Sequence, residues 1–77
     1  MKIKVYFFGI LTDITGSSEQ EIKDVESVSA LKSWLWRNYP KSKEMDFQVA
    51  LNNKLIDGKI DFKNGDEIAL LPPFSGG

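Results

Sequence analysis

The residues of this chain best suited to chemistry are the last ones. Leu70-Leu71-Pro72-Pro73-Phe74-Ser75-Gly76-Gly77 passes from an apolar, strand-like pair through two prolines to two glycines. Neither proline has an N–H, so neither can donate to a sheet ladder, and both favour extended polyproline geometry. The spacing predicts a sheet that ends near Leu71 and an extended tail over residues 72–77. The six residues from Pro72 can reach roughly 20 Å when extended. Beyond Phe74 only Ser75, Gly76 and Gly77 remain, so a narrow tunnel can admit the tip. A glycine carboxylate has no Cβ beside it, which lets a nucleophile approach and leaves no stereocentre at risk on acyl activation. The plainer reading is a frayed end of small residues. A double proline placed directly after a strand argues for the chemical one.

Composition bounds what the rest can be. Seventy-seven residues allow one small domain over 1–77 and no second core. A hydrophobic content of 42% suffices for a globular fold, which excludes disorder as the main state. Cysteine and histidine are absent, so there is no disulfide staple, no metal site built on those ligands and no thiol nucleophile. Met1 leads straight into alternating residues without a signal-peptide pattern or a membrane-spanning apolar run, and a cytoplasmic location is expected. The net charge of −1 with scattered basic residues argues against nucleic acid as the main partner. A domain this small has little concave surface for a substrate pocket. The composition points to a carrier or a subunit and away from a free-standing enzyme.

The elements that must hold the tail can be read by periodicity. Lys2 to Phe8 alternates with period two and is rich in β-branched and aromatic residues, which predicts a strand with Ile3, Val5 and Phe7 on one side. Gly9 breaks the run, and Asp13 to Ser18 reads as loop and turn. Glu19 to Val25 is extended but acidic, as an edge strand protected by charge would be. Ser27 is a suitable N-cap for a helix over Val28 to Tyr39, whose apolar stripe is Val28, Leu31, Trp34, Leu35 and Tyr39. Pro40 marks its stop, with Arg37, Lys41 and Lys43 placed where a helix C-terminus favours cations. Trp36 falls off the stripe and is expected to rest partly exposed on its neighbours.

Phe47 to Asn52 is again strand-like, with Phe47, Val49 and Leu51 on one side and Gln48 and Ala50 on the other. Asn52-Asn53-Lys54 can accept the positive φ angles of a tight hairpin turn, with Leu55-Ile56 as a brief return. Asp57-Gly58 and Asn64-Gly65-Asp66 bracket a connection in which Ile60 and Phe62 can plug the core. Glu67 to Leu71 forms the last strand, with Ile68 and Leu70 inward. Two hairpin-like pairs flanking one helix predict an α+β fold: a mixed sheet of four to five strands with the helix on one face. A right-handed connection through the helix sets the first and last long strands side by side and parallel. That is the β-grasp, or ubiquitin-like, arrangement. On the face away from the helix, Tyr6, Phe8, Ala50, Ala69 and Leu71 are then expected to adjoin the tail's root as an apolar partner surface.

With these residues in place, the chain resembles the small, sulfur-carrying subunit of molybdopterin synthase. The resemblance covers essentially the whole chain. Ile3-Lys4-Val5-Tyr6-Phe7-Phe8-Gly9 and Ala50-Leu51-Asn52 carry it loosely, and Gly65-Asp66-Glu67 through Pro72-Pro73-Phe74-Ser75-Gly76-Gly77 carries it specifically. Phe74 departs from the pattern, since the family more often has valine there, and adds volume near the tip. The resemblance implies that an ATP-consuming enzyme adenylates Gly77 and that a sulfur donor protein converts it to a thiocarboxylate. It implies that the tail, Pro72 to Gly77, inserts into the large catalytic subunit, as part of a heterotetramer, and delivers sulfur to a pterin precursor of the molybdenum cofactor. No cofactor or metal is bound by this chain itself in that scheme, and no membrane is involved. The resemblance thus implies a sulfur-donating subunit that brings no general acid or base of its own.

Other readings share the fold. A sulfur carrier for thiamine synthesis ends in the same glycines but typically lacks the Pro72-Pro73 stem. A ubiquitin-like modifier would join Gly77 to lysines by an isopeptide bond. A plain β-grasp adaptor would do no tail chemistry.

Overall fold

A computed structural model describes residues 1–44, 46–56 and 60–71, with only the backbone of Glu44. In chain order the elements are β1 (Lys2–Phe7), α1 (Ile10–Thr15), β2 (Glu19–Lys23), α2 (Val28–Asn38), a 3-10 turn (Pro40–Glu44), β3 (Gln48–Leu51), β4 (Lys54–Ile56) and β5 (Glu67–Leu71). The strands form one five-stranded sheet in the order β2-β1-β5-β3-β4. β1 and β5 run parallel at its centre, and the other pairs are antiparallel. This is the mixed β-grasp sheet expected from the sequence.

The core lies between the sheet and α2. Alternation sends Ile3, Val5 and Phe7 of β1, Ile22 of β2, Val49 of β3 and Ile68 and Leu70 of β5 to the inner face, where all are buried. Val28, Leu31 and Leu35 of α2 meet them, spaced as one helical stripe requires. Trp34 and Tyr39 complete that stripe from the margin, packed edge to face with ring centroids 6.0 Å apart. Ser27 caps the helix by accepting a hydrogen bond from the Ala30 N–H at 3.1 Å. Phe62 plugs the core as expected. Its N–H donates to the Glu26 carbonyl at 2.7 Å, and the Val28 N–H donates to the Ile60 carbonyl at 3.2 Å. Trp36 is exposed on the far side of α2.

Three local features differ from the sequence reading. Where the sequence predicts a break at Gly9 and a loop over Asp13 to Ser18, Ile10–Thr15 form the short helix α1, which turns Leu11 and Thr15 into the core. Ile and Thr are poor helix formers, so tertiary burial of Leu11 outweighs local preference. The helix ends at Gly16 in the left-handed region (φ 74°), whose N–H donates to the Thr12 carbonyl. Next, β2 stops at Lys23 and not at Val25, because Asp24 adopts a positive φ of 62° and turns the chain. Finally, Pro40 does more than end α2: it opens a 3-10 turn that buries Ser42 completely.

The two ends of the sheet are built differently. At one end a polar network locks the strands together. The Lys2 N–H donates to Asn64 Oδ1 at 2.8 Å, the Glu67 N–H to Asn52 Oδ1 at 3.0 Å, and the Lys63 N–H to Asp66 Oδ2 at 2.7 Å. Asn52 and Asn53 both have positive φ, as the two-residue hairpin between Leu51 and Lys54 demands. The opposite end, where β1 and β5 finish together, carries the exposed apolar residues Phe8 and Ile10. No helix among the described residues is long and apolar enough to cross a membrane. The expected turn at Asp57-Gly58 lies outside the described residues.

Candidate functional site

The outer face of the sheet is assembled by register. Parallel pairing sets Tyr6 beside Ala69, antiparallel pairing sets Ala69 opposite Ala50, and the hairpin sets Ala50 opposite Leu55. One apolar row therefore crosses the four strands β1, β5, β3 and β4. The next row, nearer the end where β5 stops, places Leu71 opposite Gln48. Phe8 flanks it from the other side, with its N–H donating to the Leu70 carbonyl at 3.3 Å. The structure thus brings Tyr6, Phe8, Ala50, Ala69 and Leu71 together on one continuous strip, as the alternation implied.

Their exposures are unequal. Phe8 is 46% exposed, Tyr6, Ala69 and Leu71 are half-buried, and Ala50 is only 7% exposed. Ala50 is too small to rise above its neighbours, so it forms the floor of the strip and offers little contact of its own. Two residues were not anticipated in this surface. Leu55 is 64% exposed at the far end of the row. Ile10, 47% exposed, extends the apolar margin beyond Phe8 onto α1. Leu55 could have been found, since a two-residue turn at Asn52-Asn53 fixes it opposite Ala50. Ile10 could not, because the helix that carries it was hidden.

A polar border closes the strip on the β2 side. Glu19 stands opposite Tyr6, and its Oε2 lies 3.3 Å from Lys4 Nζ. The Lys4 ammonium also sits 5.9 Å from the Tyr6 ring centroid. The hydrogen bond to Glu19, reinforced by its charge and by Tyr6, holds the Lys4 pKa above its ordinary value of 10.5. An exposed pair of this kind adds little stability. Its effect is to set a charged margin along an apolar surface, the pattern of a protein–protein contact.

Leu71 is the last described residue of β5, and β5 is the central strand. Leu71 itself therefore lies in the middle of the sheet's end, between Phe8 and Gln48, at the edge of the apolar strip. Pro72, Pro73, Phe74, Ser75, Gly76 and Gly77, the expected tail, lie outside the described residues. Among those described, the outer face presents no paired nucleophile and base. What the face can do is bind.

Comparison with known proteins agrees with this architecture. Residues 5–77 match the ThiS family. A chain of the protein–protein complex of subunits 1 and 2 of molybdopterin-converting factor from Helicobacter pylori is 35% identical, with all of both chains covered and a TM-score of 0.74. A Pyrococcus furiosus protein assigned as molybdopterin converting factor subunit 1 is 25% identical over 95% of this chain and 98% of its own, with a TM-score of 0.86. Small archaeal modifier protein 1 from Methanosarcina acetivorans is likewise 25% identical, over 99% and 96% of the two chains, with a TM-score of 0.78. By its sheet order, its outer face and these similarities, the chain belongs to the ThiS family and is a ubiquitin-like sulfur carrier.

Proposed function

We propose that this protein carries sulfur for molybdenum cofactor synthesis as the small subunit of molybdopterin synthase. In this scheme Gly77 supplies the reacting carboxylate. An activating enzyme joins it to the AMP of ATP with release of pyrophosphate, giving a mixed anhydride with a good leaving group. Sulfide-level sulfur released from a donor protein then displaces AMP, and a thiocarboxylate is left on Gly77. The thiocarboxylate is anionic near neutral pH, and its polarisable sulfur is a strong nucleophile. Inside the large subunit it attacks a pterin precursor. Hydrolysis of the resulting acyl–sulfur bond leaves the sulfur on the product and restores the Gly77 carboxylate. A dithiolene needs two sulfurs, so two charged carriers are consumed per product, which suits a heterotetramer.

The observation that carries this reading is the position of Leu71. It ends the central strand beside Phe8, on an apolar strip with a charged margin. A partner that grips the strip is thereby aligned with the point from which residues 72–77 depart. The 35% identity to a chain from the Helicobacter pylori complex of subunits 1 and 2 supports a large-subunit partner of the same kind.

The experiment is intact-mass analysis of the protein isolated from its native host. An oxygen-to-sulfur exchange localised to Gly77 is expected, together with co-purification of a large subunit. Deletion of Gly77 should silence sulfur transfer, whereas a plain adaptor would keep working. The likeness to small archaeal modifier protein 1 favours a second reading, in which Gly77 is joined to lysines of other proteins. A ladder of heavier conjugates without any sulfur-bearing form would establish that reading in place of the first. A thiamine-type carrier would yield the thiocarboxylate but no molybdopterin-synthase partner.

A further inference from the structure

The helix side of the sheet carries a second surface, which meets the outer strip at Leu55. Between α2 and the β3–β4 hairpin lies an open groove of about 420 Å³ whose lining includes Val28, Lys32, Phe47, Val49, Leu55 and Ile56. Val28 and Lys32 are four residues apart on α2 and so share a face. The floor is apolar: Val28 and Val49 are buried, and Phe47 and Ile56 pack against the core. Val49 pairs with Ile56 and Leu51 with Lys54, so Lys54 stands on the same side of the hairpin as Ile56. Lys32 places its ammonium 5.9 Å from the Phe47 ring centroid. Among the described residues neither lysine makes an ion pair. The groove also has a backbone rim. β4 ends the sheet order and pairs only with β3, which leaves its outer N–H and C=O groups without a strand partner among the described residues.

A second copy of the chain fits this rim poorly. Antiparallel pairing of β4 with β4 about Leu55 would set each Lys54 against an Ile56 with no carboxylate in the strand to meet it, and three residues offer little ladder. A segment of opposite charge meets no such obstacle. Side chains alternate along a strand, so positions i, i+2 and i+4 of an added strand would face the groove. Acid, apolar and acid is the order that matches Lys32, the floor and Lys54. We propose that the groove and the free edge of β4 bind an extended acidic segment of a partner protein. One apolar side chain lies over Val28, Val49 and Ile56, and the flanking carboxylates meet Lys32 and Lys54. Backbone pairing supplies the affinity and the exposed ion pairs the selection, so binding is weak and salt-sensitive.

The test is an NMR titration of the full ¹⁵N-labelled chain with the peptide acetyl-Gly-Asp-Val-Ile-Val-Asp-Gly-amide at low salt. The control replaces both aspartates by lysines. Saturable shifts at the amides of Val28, Lys32, Lys54, Leu55 and Ile56 are expected with the acidic peptide alone, and they should fade as salt is raised. The double variant K32E/K54E should weaken the response several-fold, while L71D, on the other surface, should leave it intact. The proposal is overturned if millimolar acidic peptide gives no saturable shifts, if the lysine peptide binds equally well, or if the shifts centre on β2 or the outer face. Should K32E/K54E fail to fold, K32A and K54A singly, with the two peptides, decide the same question.

Discussion

Ala50 and Ala69 stand directly opposite each other across the β3–β5 ladder, on the face turned away from α2. With Tyr6 on one flank and Leu55 on the other, these two small side chains leave a shallow trough in an otherwise raised apolar row. A partner can seat a ridge there. Replacing Ala69 by arginine would fill the trough with a charged chain, at a position where the outer face has no buried carboxylate among the described residues to receive it. A69R should retain the fold, judged by an unchanged circular dichroism spectrum, and lose capture of the large subunit in a pull-down. Undiminished capture would remove the trough from the interface.

Phe8 and Leu71 flank the departure of the chain from the sheet, and both lie on the outer strip. F8D and L71D place a carboxylate in what would become a dry interface, where an unpaired charge costs several kcal/mol. Each should weaken large-subunit binding by two orders of magnitude or more, on the order of 3 kcal/mol. Isothermal calorimetry would measure it. Retained affinity with both substitutions present would refute the strip.

Leu31 has no exposed surface and sits at the centre of the α2 stripe. Leu31→Ala should cost about 2–5 kcal/mol, the range for a buried leucine that leaves a cavity. A domain of this size has roughly 4–12 kcal/mol to lose. The urea midpoint should fall steeply while the slope stays constant.

Two serines give a contrasting pair. Ser27 accepts the Ala30 N–H as N-cap, so Ser27→Ala should cost about 1 kcal/mol. Ser42 is fully buried, and its Oγ has no hydrogen-bond partner among the described residues. An unpaired buried hydroxyl is a penalty already present in the folded state. Ser42→Ala should therefore leave stability unchanged or raise it by up to about 1 kcal/mol. A marked loss in chemical denaturation would show that the hydroxyl has a partner after all.

The Lys4–Glu19 contact raises the Lys4 pKa in the folded protein above its ordinary 10.5. A group whose folded pKa is raised stabilises the fold below its unfolded pKa and loses that contribution as pH climbs through the folded value. The Lys4 contribution is thus fully present at neutral pH and is lost in strong alkali. Glu19→Gln should lower the Lys4 titration midpoint, followed by the NMR shift of its Cε protons. An unmoved midpoint would show that Glu19 is not the cause.

Much of this was legible because alternation and helical spacing are local properties. Ile3, Val5 and Phe7, or Val28, Leu31 and Leu35, announce their faces within a few residues. The central parallel pair followed from the handedness of a crossover. α1 was not legible, since its six residues expose only Leu11 and Thr15 to the core and its Ile and Thr argue for extended chain. The burial of Ala50 also escaped, though for another reason. It depends on Ala69 across the β3–β5 ladder, and register between distant segments is encoded in no single stretch.

β5 runs down the middle of the sheet, held by β1 on one edge and β3 on the other. A protein that tugs on the chain beyond Leu71 pulls along the strand axis, so both ladders resist in shear, with all their bonds loaded together. Peeling, which would break them one at a time, requires an edge strand. Under the proposed function, this arrangement would let a partner draw the chain into a channel and release it, turnover after turnover, without unravelling the sheet.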